Sequence, residues 1–204
     1  VGLGDFGRLD NYLARQIDRW TRQYRASLVE AADPNMERLM RWLPSNLPPL
    51  SRVAIAHGDY RIGNLIFAAD APDVAAILDW ELSTLGDPLS DLAYCCLPYH
   101  LPGDASGVKG LRGLDLAALG MPTEAEFVET YRQAAGLEVV DHWPFYLAFS
   151  LFRLAAILQG VFARAVAGNA SSANALEVGR RAALLAETGC SIALDRAACS
   201  SGFG

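Results

Sequence analysis

A chain of 204 residues, 52% apolar and 20% charged, can bury one substantial core and has the balance of an ordinary globular protein. Its formal charge of −6 offers no electrostatic attraction to nucleic acid or to an anionic membrane, so neither is expected as a partner. Lys109 is the only lysine among 17 basic residues, so a phosphate-bearing ligand would have to be held by a metal, a helix N-terminus or a few arginines.

Leu13, Ile17, Trp20, Tyr24 and Leu28 recur at spacings of three and four, which predicts an amphipathic helix from about Asp10 to Ala31. Asp33-Pro34 supplies an N-cap and an N1 proline for a second helix carrying Met36, Leu39, Met40 and Leu43, and Pro44, Pro48 and Pro49 are expected to end it. Beyond the prolines the texture changes. Val53-Ala-Ile-Ala is a short apolar run leading into His57, and Leu65-Ile-Phe and Val74-Ala-Ala-Ile-Leu read as a β-hairpin. Asp59 and Asn64 then fall on the loop before the hairpin, and Asp79 just after it.

The remainder reads as helix. Asp87-Pro88 opens one through Cys96, with Asp87 as cap. The Gly/Pro-rich stretch from Pro98 to Leu114 reads as a long loop. Thr123 and Glu126 form a capping-box pattern, and Gly136 closes that helix. A long apolar helix starts at Pro144 and stops at Gly168-Asn169. Arg153, Gln159 and Arg164 interrupt it, which favours a buried helix over a membrane span. A last helix is expected from about Ser172 to Glu187, before a frayed tail. His100 and His142 read as loop residues. The cysteines at 95, 96, 190 and 199 form no C-x-x-C pair, which argues against a disulfide framework or zinc site. Cys95 and Cys96 read as buried helix fillers. The start lacks the basic and apolar regions of a signal peptide, which makes the cytoplasm the expected location, and the absence of an initial methionine suggests further chain upstream. The expected fold is α+β and predominantly α. Residues 1–50 form leading helices, 51–80 the loop and hairpin, and 81–195 a helical subdomain.

The chemistry concentrates between His57 and Asp79. His57-x-Asp59-x4-Asn64 has the H-x-D-x4-N spacing of a kinase catalytic loop, and Asp79 follows across the hairpin. Phosphoryl transfer to an alcohol needs one carboxylate at the acceptor hydroxyl, and hard oxygen ligands for the magnesium ion that neutralises the triphosphate. A loop carboxylate, a loop amide and a carboxylate at a hairpin end supply those groups. Taken blandly, Asp59 is a turn residue and Asn64 a strand cap. His57 reads as a structural histidine rather than a catalytic one.

The segments His57-Gly-Asp-Tyr-Arg-Ile-Gly-Asn-Leu-Ile-Phe67, Ile77-Leu-Asp-Trp-Glu81 and Gly86-Asp-Pro-Leu-Ser-Asp-Leu-Ala93 resemble the aminoglycoside phosphotransferase/choline kinase-like family. More narrowly, they are similar to the kinase domain of acyl-CoA dehydrogenase family members ten and eleven, as are Phe6 to Gln16 and Phe152 to Phe162. The resemblance implies the C-terminal helical lobe of a protein-kinase-like fold, with a small hairpin beside the catalytic loop. It further implies ATP and Mg2+ as cofactors and a small-molecule hydroxyl as acceptor, hydroxyacyl-CoA or aminoglycoside-like. By the same resemblance Asp59 is the catalytic carboxylate and Arg61 lies near the transferring phosphate. Asn64 and Asp79 ligate magnesium and contact the nucleotide, His57 and Asp91 are scaffold, and Glu81 and Arg153 are candidate substrate contacts. The N-terminal ATP-binding lobe of such an enzyme, with its phosphate-covering loop and strand lysine, is not legible in these residues, so the isolated chain is expected to be poorly active. The competing expectations are a pseudokinase-like binding or scaffolding lobe and a magnesium hydrolase. Oligomeric state is left open.

Overall fold

The computed structural model describes residues 11–49, 52–103, 110–169 and 174–199. The predicted start at Asp10, the segment from Phe6, Lys109, Ser172 and the tail beyond Cys199 lie outside them. The architecture is mostly helical with two small sheets. Helix α1 (Tyr12–Ala26) buries Tyr12, Leu13, Ile17, Trp20 and Tyr24 on one face. It ends earlier than the periodicity predicts, because local and tertiary bonds capture the chain at Ser27. The Ser27 hydroxyl donates to the Gln23 carbonyl, and Gln159 donates to the Ser27 carbonyl. Helix α2 (Pro34–Ser45) is capped by Asp33, whose carboxylate accepts the Asn35 and Met36 N–H groups. Pro44 sits inside its final turn instead of ending it, since only one ladder bond is lost there.

Strand β1 (Ala54–Ala56) pairs antiparallel with β4 (Thr84–Gly86), Ile55 opposite Leu85. Strand β2 (Leu65–Phe67) pairs antiparallel with β3 (Val74–Ile77), Leu65 opposite Ile77. Between the strands stand two 3-10 turns, Ile62–Asn64 and Trp80–Leu82. β4 is absent from the sequence reading, as three residues are too few to show a period of two.

Helix α3 (Leu89–His100) continues past Cys96 and carries Pro98 within it. The Asp87 carboxylate accepts the Leu89 N–H and the Tyr146 hydroxyl in a fully buried position, a capping role and not a metal-binding one. Cys96 is buried and Cys95 half-buried, both as free thiols whose pKa burial pushes up. Helix α4 (Glu124–Ala134) has the capping box of Thr123 and Glu126. His100 pairs with Glu124, and His142 starts the next helix, so neither is a simple loop residue.

Helix α5 (Trp143–Val166) is the centre of the core and packs against α1, α2 and α3, and against α6 (Ala175–Gly179) and α7 (Ala182–Cys199). Among the described helices it alone is long and apolar enough to cross a membrane. Its apolar faces are covered by these neighbours, and Tyr146, Phe149, Leu151 and Phe152 are fully buried. Each such side chain contributes about 1.5–3 kcal/mol relative to exposure. The expected single last helix is broken after Gly179, where an added Cβ would lie 2.5 Å from Phe162 Cβ. That close approach fixes α6 against α5, and the chain restarts as α7 in a new direction.

Candidate active site

The loop after β1 is built by charged side chains that reach it from two helices. Asp91 on α3 accepts the His57 N–H at 2.5 Å and the Gly58 N–H at 2.9 Å. Arg153 on α5 donates to the Gly58 carbonyl. Both backbone groups of Gly58 are therefore held, one by an anion and one by a cation. Gly58 adopts φ +83°, and a Cβ there would meet the Leu82 carbonyl oxygen at 2.7 Å. Gly58→Ala is expected to cost about 1–3 kcal/mol from backbone strain alone, read as a lower thermal midpoint with loss of activity.

His57 joins the loop to the hairpin. Its Nε2 is 2.7 Å from the Leu78 carbonyl oxygen, which can only accept, so Nε2 carries the proton. Nδ1 is then free to accept the Asp59 N–H at 3.1 Å. Leu78 in turn donates its own N–H to the Asn64 carbonyl at 2.8 Å. With Leu78 fixed from both sides, the next residue, Asp79, enters the left-handed region at φ 61°, ψ 48°. A non-glycine residue there costs roughly 1–2 kcal/mol. The strain is tolerated because it aims an exposed carboxylate that has no hydrogen bond or ion pair among the described residues.

Asp59 is the best-held side chain of the group. Asn64 Nδ2 donates to both the Asp59 carbonyl and its Oδ2, each at 2.9 Å, and Arg61 Nε donates to Oδ2 at 3.2 Å. Asn64 is buried, while the Arg61 side chain is 52% exposed. Since both partners of the Asn64 amide nitrogen are acceptors, its orientation is fixed and its Oδ1 is left for another ligand. An amide oxygen and an unpaired carboxylate are hard donors that suit Mg2+, which takes one or two protein oxygens and completes its octahedron with water and phosphate. No cluster of three or more His, Cys, Asp or Glu fit for a metal occurs among the described residues, so an all-protein cage is not built there.

Tyr94 is the residue that sequence reasoning missed. It lies buried one turn after Asp91 on α3, on the same helix face, with the Arg153 guanidinium 5.0 Å from its ring centre. Burial, followed by the Asp59 charge, pushes the Tyr94 hydroxyl up to about 12. The spacing of three from Asp91 was the available signal. Burial likewise pushes the Asp91 carboxyl upward, and its backbone hydrogen bonds to Gly58 and His57 hold it partly back.

The structure does not bear out a substrate contact for Arg153. It is 4% exposed, with its guanidinium over the rings of Trp20 and Tyr94 at 5.4 and 5.0 Å. It serves the loop backbone. Glu81 is exposed on the 3-10 turn after Asp79, with no hydrogen bond to the site among the described residues.

A cavity of about 340 Å3 opens beside this group. Arg61, which donates to Asp59, and Tyr94 form part of its wall, and Leu97, Pro98, Phe127 and Leu154 make much of the rest apolar. A larger cavity of about 510 Å3, lined by Tyr24, Asp33, Gln159 and Arg180 among others, includes none of the site residues.

Comparison with known proteins gives the family. The profile of the phosphotransferase enzyme family (APH) matches residues 1–149. Mouse acyl-CoA dehydrogenase family member 10 is 47% identical over 187 residues, covering 92% of this chain and 17% of the relative. Human acyl-CoA dehydrogenase family member 11 is 37% identical over 189 residues, covering 92% of this chain and 24% of the relative. The crystal structure of a candidate aminoglycoside phosphotransferase from Ralstonia eutropha JMP134 matches with a TM-score of 0.88 and 48% identity, covering 95% of this chain and 59% of that one. This chain thus spans under two thirds of each of these proteins. Fold, motif and sequence agree: the chain has the kinase-like fold of the phosphotransferase enzyme family and belongs to that family.

Proposed function

We propose that this chain is the catalytic C-terminal lobe of a Mg2+- and ATP-dependent small-molecule kinase that phosphorylates a hydroxyl. The observation that carries the reading is the Asp59 carboxylate, held by Asn64 and Arg61 with Asp79 delivered beside the same loop. Asp59 orients the acceptor hydroxyl and takes its proton. The bond from the γ-phosphorus to its bridging oxygen breaks as the bond to the acceptor oxygen forms, and ADP leaves. Asn64 Oδ1 and the Asp79 carboxylate would hold the magnesium, which would supply neutralisation of the phosphate charge. The half-exposed Arg61 guanidinium would stabilise the transferring phosphate, since it suits spread negative charge.

An ATP-covering lobe belongs to this reading as a partner, contributed by chain outside these residues. Its seat is the apolar surface around Asp79, where Ile66, Phe67, Leu78 and Trp80 are all exposed. For the acceptor, the apolar wall beside Asp59 favours an alcohol on an apolar body, as in a hydroxyacyl-CoA, over a polycationic aminoglycoside. On this reading the enzyme would work in the cytoplasm, with neither nucleic acid nor membrane as partner. A second reading, a pseudokinase-like scaffold, draws support from the helices α1 and α2 that stand before β1 where no phosphate-covering sheet is seen among the described residues.

The test is ADP release by the full-length gene product with Mg-ATP, offered hydroxyacyl-CoAs or aminoglycosides. The expected result is release that depends on a hydroxyacyl-CoA and stops when EDTA removes the metal. Release with aminoglycosides alone would overturn the acceptor assignment, and none with either class would favour the scaffold.

A further inference from the structure

We propose that Tyr99 sets the length of acceptor that the site admits, its ring being the wall that stops an apolar tail entering from the Asp59 side. The inference rests on the kinase reading and deepens it by naming a specificity-determining residue. The apolar cavity of about 340 Å3 begins at the loop, where Arg61 and Ile62 line it and Arg61 donates to the Asp59 carboxylate. From there it follows α3, whose Tyr94, Cys95, Pro98 and Tyr99 all border it. At a helical rise of about 1.5 Å per residue, Tyr94 and Tyr99 stand roughly 7–8 Å apart along the axis. A carbon chain attached to a hydroxyl at Asp59 thus has an apolar course along α3 that ends at Tyr99.

Two bonds fix that far end. The Tyr99 hydroxyl donates to the Pro122 carbonyl at 3.0 Å, and the Leu111 N–H donates to the Pro98 carbonyl at 2.7 Å. They tie to the end of α3 the two segments that carry Met121 and Leu111, both of which line the cavity. Tyr99 also borders a second cavity, of about 300 Å3, where His100, Arg112, Glu187, Thr188 and Ser191 are among the lining residues. Among the described residues Tyr99 alone lines both. The ring is therefore a partition between an apolar space that reaches the Asp59 loop and a more polar one that includes none of the site residues. An apolar tail gains about fourfold in affinity for each methylene it buries. That gain stops where the next methylene meets the ring, and the side chains behind the ring give a longer tail no apolar continuation.

Calorimetric titration of the full-length gene product with straight-chain primary alcohols, from butanol to dodecanol, tests this without turnover. Affinity is expected to rise about fourfold per methylene and then to level off at one chain length. In Tyr99→Ala the levelling should move to a longer alcohol, whereas in Tyr99→Phe, which keeps the ring, it should stay. Tyr99→Leu, with an apolar side chain retained at the end of α3, carries the test if Tyr99→Ala melts early. A levelling point unmoved in both smaller variants overturns the proposal, as does an affinity that does not grow with chain length. A point moved as far by Tyr99→Phe would assign the limit to the Pro122 bond and overturn the role of the ring. ADP release with Mg-ATP and hydroxyacyl-CoAs that differ in the tail beyond the hydroxyl separates the two levels. The tail with the highest kcat/KM should lengthen in Tyr99→Ala as the alcohol limit does. Turnover with an optimum indifferent to Tyr99 removes the proposal and leaves the kinase reading standing. No ADP release with any acceptor, beside an alcohol limit that follows Tyr99, removes the kinase reading and leaves Tyr99 as the wall that sizes the ligand.

Discussion

Asp59→Asn is expected to lower kcat of the full-length gene product by about 10²- to 10⁴-fold, the usual span for loss of a positioned acid–base group. The amide is isosteric, and its oxygen can still accept from Asn64 Nδ2 and Arg61 Nε. The fold should therefore be nearly undisturbed. The Arg61–Asp59 pair is more than half exposed on the arginine side, so breaking its charge costs little stability. What is lost is the capacity to take the acceptor proton. ADP release and a thermal melt on the same preparation check the two halves of this expectation. Wild-type turnover in the variant would point to the scaffold reading.

Asp91→Ala is expected to give the largest loss of stability among changes at the site. It removes the acceptor for two consecutive backbone donors, His57 N–H and Gly58 N–H. A buried donor without a partner costs about 1–3 kcal/mol. Burial already pushes the Asp91 carboxyl upward, so deleting it returns part of the desolvation cost. A net loss of about 2–3 kcal/mol is expected, or roughly 4–12 °C in melting temperature for a domain of this size. Activity should fall with it, because the Gly58 peptide keeps only its Arg153 anchor and Asp59 follows directly in the chain. Asp91→Asn retains one acceptor oxygen and should lose less on both measures. A melting temperature unchanged in Asp91→Ala would show that the loop is held without α3.

Much of the site was legible because its chemistry is local in the chain. Asp59, Arg61 and Asn64 lie within one short loop, so their mutual bonds follow from spacing. Asp79 was readable through the two apolar runs now seen as β2 and β3. The same locality explains the well-read helix starts, where Asp33 and the Thr123–Glu126 box cap through side chains two or three residues away. β4 was not legible because its partner, β1, lies far back in the chain and its own three residues carry no pattern. Tyr94 looked like any core tyrosine on an apolar helix, and the Arg153 that lies over its ring comes from a distant helix. Arg153 stood out as a charge within an apolar run, yet nothing nearby in the chain indicated that its partner would be a glycine carbonyl.

By itself the sequence determined the H-x-D-x4-N loop, the carboxylate that follows the second apolar run, and a mostly helical chain with one buried apolar helix. These are set by residue type at short separation. Tertiary structure alone decided which charges hold the backbone of the loop. Asp91 and Arg153 hold the two backbone groups of Gly58, and His57 ties that loop to the residue before Asp79. Each of those assignments depends on what lies opposite a side chain once α3 and α5 have packed, and packing joins residues that sequence spacing keeps apart.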